Sequence, residues 1–120
     1  MFANTLDIVV GSNTYTLRRL NQDDFGSEYR FTNGERALSM KIRHSTDKVD
    51  GDGLVMKRHN VFLEHIVYPS PTTALKKYTA TCTIRDCAFG NPADSAALFS
   101  GLITWASSGT VPADLVAGES

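Results

Sequence analysis

The side chains able to do chemistry fall into four groups. The first is three histidines, His44, His59 and His65, candidate metal ligands. His59 and His65 are six positions apart. On a regular strand they share a face but stand ~20 Å from each other, too far for one ion, and this leaves exposed or edge histidines. The second group is Asp50-Gly51-Asp52-Gly53, which opens like a calcium loop. Leu54 then stands where a third oxygen ligand belongs, and Val61 where the bidentate Glu belongs. A solvated turn is the reading that remains. The third group is Cys82 and Cys87, either of which could act as a nucleophile beside a histidine. Cys82 alternates with Ala80 and Ile84 on an apolar face, and no activating motif accompanies either thiol. Five residues of strand span ~16 Å, against a Cα limit of ~7 Å for a disulfide. The thiols are therefore expected to be reduced, which fits a cytosolic origin. No phosphate loop, dinucleotide fingerprint, zinc finger or nucleophile elbow is present. The expectation is a protein with no catalytic residue, no metal and no cofactor.

The fourth group is a set of polar side chains at alternate positions: Ser39, Lys41 and Arg43, then Arg58 and Asn60, then Lys77, Thr79, Thr81 and Arg85. Lys and Arg neutralise phosphates. Ser, Thr and Asn supply short donors and acceptors for bases. The competing reading is the solvated face of an antiparallel sheet, and composition alone favours it.

The elements that carry these residues read as strands first and helices last. Residues 5–10 and 14–20 form a hairpin around Gly11-Ser12-Asn13. Residues 21–26 read as a loop. Residues 27–32 and 35–44 flank Asn33-Gly34, a strong hairpin turn. In the second of these, Leu38, Met40 and Ile42 oppose Ser39, Lys41 and Arg43. Residues 45–53 are a polar loop. Residues 56–68 form a long strand stopped by Pro69. Both its faces are apolar, and only Glu64 argues that the Phe62 side is the exposed one. Residues 75–88 form the last strand, with Tyr78, Ala80, Cys82 and Ile84 on one face. The count is six or seven antiparallel strands in meander order. Asn91 then caps a helix with Pro92 at its first position and Asp94 in its first turn. It runs to about Ser107, with Gly109 as its stop. Pro112 opens a short second helix to Ala117.

This is one α+β domain over residues 1–120, strands in 1–88 and helices in 91–118. The net charge is −1, but it is unevenly spread. Residues 36–85 carry nine Lys/Arg against four Asp/Glu, and after Arg85 there are only Asp86, Asp94, Asp114 and Glu119. A basic sheet backed by acidic helices has one face suited to a polyanion. The N-terminus has no basic region followed by an apolar run, so no secretory signal is expected. No apolar run reaches the ~18–20 residues of a membrane span. On the long helix, Leu98, Leu102 and Trp105 form one apolar stripe, and Phe99, Ile103 and Ala106 the next. Together they are wide for a helix resting on one sheet. The economical cover is a two-fold dimer whose sheets join edge to edge along the 75–88 strand. Leu98, Leu102 and Trp105 would then pack partly across the two-fold.

The order and pattern of these segments resemble the coat proteins of the small single-stranded RNA bacteriophages, the levivirus type. The resemblance covers nearly the whole chain. It rests on Leu6-Asp7-Ile8-Val9-Val10 to Tyr15-Thr16-Leu17, on Ser39-Met40-Lys41-Ile42-Arg43-His44, on residues 56–69 and 77–85, on Asn91-Pro92-Ala93-Asp94 and on the tail from Pro112. It implies an N-terminal hairpin, a five-stranded sheet and two C-terminal helices in an interlocked homodimer. It implies an icosahedral shell around RNA, assembled in the bacterial host cytoplasm, with the sheet toward the genome and the helices outside. It implies as well that the dimer binds an RNA hairpin on the sheet and represses translation of the replicase message. Carried across by strand, the RNA contacts fall on Lys41 and Arg43, on Arg58 and Asn60, and on Lys77, Thr79 and Thr81. Family members often stack a base on a tyrosine of the last strand. Here Tyr78 alternates with Ala80 and Cys82, away from the Lys/Thr face. The loop 70–74 has no cysteine for inter-subunit disulfides. The competing functions are a stand-alone small α+β RNA-binding module and, further off, a cone-shaped α+β enzyme. The enzyme would need a pocket of histidines and carboxylates that the sequence does not supply.

Overall fold

Alternation with a period of two builds six antiparallel strands, each paired with the next in the chain. They are β1 (Thr5–Val10), β2 (Asn13–Asp23), β3 (Gly26–Thr32), β4 (Arg36–Thr46), β5 (Met56–Val67) and β6 (Lys76–Cys87). Two helices follow, α1 (Pro92–Ala106) and α2 (Val111–Val116). This computed structural model describes residues 2–49 and 51–118. Asp50 of the Asp/Gly turn and Glu119 of the acidic tail lie outside the described residues.

The sheet differs from the expected hairpin plus five strands. It is one six-stranded sheet, and the N-terminal hairpin is part of it. The difference lies in residues 21–26, which look like a loop because they are polar. After a bulge between Arg19 and Asn21, Asn21, Gln22 and Asp23 pair with Glu28, Ser27 and Gly26. This stretch of β2 is exposed, so nothing selects apolar side chains there. The true turn is Asp24-Phe25. Asp23 Oδ1 accepts the Phe25 N–H at 2.8 Å, and the His44 N–H donates to the Phe25 carbonyl at 2.7 Å. Gly26 is required where β3 meets β4. A Cβ there would lie 2.0 Å from the Ile42 carbonyl oxygen, far inside van der Waals contact.

The core is built on one face of β2, β3 and β4. Leu17, Tyr29 and Leu38 are fully buried, with Tyr15, Met40 and Ile42 beside them. Leu6, Ile8, Phe31 and Leu63 pack around this cluster. A flat sheet would hold β2 and β5, three strand spacings apart, at ~14 Å. Yet the rings of Tyr15 on β2 and His65 on β5 lie 6.2 Å apart. The sheet therefore curls, and the N-terminal hairpin closes over the apolar face. Arg36 fastens this closure by donating to the Tyr15 hydroxyl at 2.8 Å. Tyr29 fastens the leading segment: its hydroxyl donates to the Ala3 carbonyl at 2.8 Å and receives Arg19.

Cross-strand partners settle which way β5 faces. Leu63 stands opposite Met40 and Ala80, and Phe62 opposite Lys41 and Thr81. Directly opposed residues share a face, so Leu63 belongs to the apolar side and Phe62 to the polar side. Glu64, opposite Ser39 and Thr79, lies on the same side as Phe62, while in the single chain Val61 on the other side is the more exposed residue.

Helix α1 begins as its sequence predicts. Asn91 Oδ1 accepts the Ala93 N–H at 3.0 Å, Pro92 follows, and Asp94 lies in the first turn. Ser107 is the C-cap, and Gly109 takes the left-handed φ of +51° that ends the turn. α1 rests lightly on β6 and α2, and none of its residues is buried.

Candidate nucleic-acid interface

The register assembles the polar residues of three strands into rows across the sheet. Ser39 is opposite Glu64, and Glu64 opposite Thr79. Lys41, Phe62 and Thr81 form the next row, and Arg43, Asn60 and Thr83 the one after. Ser45, Arg58 and Arg85 complete one end, and Ala37, Ile66 and Lys77 the other. All nine residues singled out from the sequence thus lie on one face of β4, β5 and β6. At ~3.3 Å per residue and ~4.8 Å per strand, they cover a patch roughly 25 by 10 Å. Thr83 shares this face and was not among the nine; its alternation with Thr79 and Thr81 is the signal that could have included it.

The cations of the patch are not equally available. Arg43 Nη1 pairs with Asp23 Oδ2 at 3.2 Å, Arg85 Nε with Asp47 Oδ2 at 2.8 Å, and Lys77 Nζ with Glu64 Oε2 at 3.4 Å. Lys41 and Arg58 have no ion-pair partner among the described residues. The Asp23 carboxyl is held below the usual carboxylate range, first by the Phe25 backbone N–H and then by the Arg43 guanidinium. Glu28 on β3 stands directly opposite Lys41, whereas Arg58 faces Ser45 and Arg85, so positive potential is least compensated at Arg58.

Asn60 organises the neutral part of the patch. Its amide nitrogen donates to Thr81 Oγ1 at 3.0 Å, Thr83 Oγ1 at 2.9 Å and the Cys82 carbonyl at 3.2 Å. Because the two threonine oxygens accept from Asn60, their own O–H groups remain to donate. A row of hydroxyl donors beside these cations can bind phosphate oxygens without selecting a base.

The opposite face carries what the sequence reading missed. His44 and His59 stand directly across β4 and β5, with Nδ1 to Nδ1 at 2.8 Å. His59 Nε2 is 3.1 Å from Asp86 Oδ1. The long connection between β4 and β5 hides this register from the sequence. His65 lies on the same face as His59, as expected, opposite Leu38 and Tyr78. Tyr78 also sits here, 57% exposed, and not among the threonines. Cys82 lies opposite Val61 on this face, and both cysteines are free thiols. On α1, Leu98, Leu102 and Trp105 are 77%, 55% and 56% exposed in the single chain.

Residues 3–87, all of the strands, match the family described as the phage phiCb5 coat protein. The chain belongs to this coat-protein family. Its fold recurs in solved structures of phage coat proteins. One is a virus-like particle of bacteriophage AVE019, at 15% identity and a TM-score of 0.76, covering 98% of this chain and 97% of that one. Another is a virus-like particle of Beihai levi-like virus 21, at 13% identity and a TM-score of 0.78, covering 100% and 98%. A third is the bacteriophage EMS014 coat protein, at 21% identity and a TM-score of 0.62, covering 82% and 68%. No curated protein sequence matches the chain significantly. A coat-protein fold that persists at such low identity is held by its alternating pattern and strand order, not by particular side chains. The patch on β4, β5 and β6 must therefore be read from this chain's own residues.

Proposed function

We propose that the chain is a capsid subunit that forms homodimers, assembles an icosahedral shell and packages single-stranded RNA against the polar face of β4–β6. It is a structural protein of the virion, assembled in the cytoplasm of a bacterial host, with no catalytic role. The observation that carries this reading is the gathering of Ser39, Lys41, Arg43, Arg58, Asn60, Lys77, Thr79, Thr81 and Arg85 on one sheet face. The occurrence of this fold in two virus-like particles supports assembly into a shell.

Dimerisation is supported by what the single chain leaves uncovered. β6 is an edge strand of twelve residues with one side unpaired within the chain. Long exposed edges are either blunted or paired. α1 buries no residue, and Leu98, Leu102 and Trp105 present a large apolar surface. A partner that pairs along β6 and receives α1 on its own sheet removes both liabilities.

Translational repression by hairpin recognition is the finer part of this proposal. Tyr78 lies on the apolar face, so base stacking on it does not support such recognition. The available groups are hydroxyls and cations, which favour phosphate contacts over base reading.

The test is expression in bacteria followed by electron microscopy and nucleic-acid extraction. Uniform shells containing RNA are expected. Small RNA-bound particles of monomer or dimer size would instead indicate a stand-alone RNA-binding module.

A further inference from the structure

Seven arginines punctuate the strands, and four of them are held by oxygen partners. Arg19 donates to Tyr29 Oη at 3.1 Å and Arg36 to Tyr15 Oη at 2.8 Å. Arg43 and Arg85 pair with Asp23 and Asp47. Arg58 belongs to the patch already described. The remaining two, Arg18 on β2 and Arg30 on β3, stand directly opposite each other. Neither has an ion-pair or side-chain hydrogen-bond partner among the described residues. Like charges directly across a strand pair repel and destabilise the sheet. No ion pair among the described residues relieves it.

Its position is informative. Arg30 is opposite Ser39, Ser39 opposite Glu64, and Glu64 opposite Thr79. Arg18 and Arg30 therefore extend one row of the polar face by two strands, toward the N-terminal hairpin. They border an open cavity of about 490 Å³ completed by Thr16, Leu20, Phe31 and Thr32. Leu20 is 56% exposed. The Thr16 hydroxyl donates to Asp7 Oδ1 at 2.6 Å and the Thr32 hydroxyl lies 3.3 Å from Tyr68 Oη, so the groups left for a ligand are the two guanidiniums and the apolar wall, which suit a nucleotide better than a bare ion. The guanidiniums take a phosphate in fork geometry, and the apolar wall takes the flat of a sugar or base.

We propose that Arg18 and Arg30 form a second phosphodiester-binding site, for single-stranded RNA, which widens the nucleic-acid face from three strands to five. This rests on the reading of the β4–β6 face as the RNA side. It predicts a longer footprint per subunit, with the strand running across β2–β6 as well as along β4.

The test compares four proteins: wild type, the double variants Arg18→Gln/Arg30→Gln and Arg18→Lys/Arg30→Lys, and Lys41→Ala/Arg58→Ala. The affinity of the purified coat protein for a single-stranded RNA oligonucleotide is measured across a salt series. Each phosphate contact adds about 0.7 to the log–log slope for single strands, so losing this one site should take roughly 0.7 from it in the Arg18→Gln/Arg30→Gln variant. Its melting temperature without RNA should not fall, because a repulsive pair has been removed. The pair Arg18→Lys/Arg30→Lys should keep the slope and lose affinity several-fold, since charge remains and the fork does not. An unchanged slope in Arg18→Gln/Arg30→Gln overturns the site. If that variant also fails to form particles, the arginines meet carboxylates of a neighbouring copy instead. Should the Lys41/Arg58 variant keep the wild-type slope too, the underlying sheet-face reading fails with it. A normal loss there beside none at Arg18/Arg30 rejects the second site alone.

Discussion

Lys41 stands directly opposite Phe62 across the β4–β5 pair, and Phe62 stands opposite Thr81. This one row places a cation, a ring and a hydroxyl on the polar face while their neighbours Met40, Leu63 and Ala80 share the other. The relationship fixes Phe62 on the same side of β5 as Lys41 and Thr81.

Lys41 should matter more to RNA binding than Arg43, although they are two residues apart on the same strand. Arg43 already shares its charge with Asp23; Lys41 has no such partner among the described residues. Lys41→Ala is expected to lower the salt slope of RNA affinity by about 0.7, and Arg43→Ala by less. Both variants should stay folded, since the two side chains are exposed and surface substitutions cost little. Equal slopes for the two would mean that the Asp23 pair opens when RNA binds.

Gly26→Ala should destabilise the fold. The added Cβ would meet the Ile42 carbonyl at 2.0 Å, so β3 must move away from β4. Overpacking of this kind costs about 1–3 kcal/mol. Chemical denaturation of the variant measures it, and a stability equal to wild type would show that this strand pair yields freely.

Asp23 should contribute to acid sensitivity. Folding lowers its pKa, through the Phe25 N–H and then Arg43. Its contribution is therefore fully present above the unfolded value of ~3.9 and is lost as pH falls through the lower folded value. The stability difference between wild type and Asp23→Asn should be constant near neutrality and shrink only below about pH 4. A difference that already changes between pH 5 and 7 would point to another group.

Much of this fold is legible in the sequence because period-two alternation persists wherever one sheet face is buried. Leu38, Met40 and Ile42 announce their side, and Asn91-Pro92 announces the helix start. The end of β2 is not legible, because Asn21 and Gln22 are strand residues without a buried side. Nor is the register of β4 with β5, since the connection between Thr46 and Met56 gives no count of paired residues. The His44–His59 pair and the Arg85–Asp47 bond depend on that register and so could not be foreseen. The neutralisation of Arg43 by Asp23, twenty residues away, escapes because Asp23 belongs to the illegible end of β2, opposite Gly26, which in turn stands opposite Arg43. The side of β5 was legible only through Glu64, a single charged residue in an apolar run.

Trp105→Ala should act through association. In the single chain Trp105 is 56% exposed, so its truncation there removes little packing. Buried across a two-fold, the same change costs about 3–5 kcal/mol. Thermal unfolding at several protein concentrations separates the cases, because an obligate dimer melts higher when more concentrated. The variant is expected to melt lower, with a steeper dependence on concentration. Fully assembled particles at wild-type yield would contradict this placement of the helix.

The most direct test of the whole account is a cryo-electron microscopy reconstruction of the material purified from bacteria expressing this chain. The account predicts closed icosahedral shells of dimers, with α1 and α2 outward and RNA density against Lys41, Arg58 and the threonines of β6. Monomers that persist at high concentration, or shells whose β4–β6 polar face points outward, would contradict it.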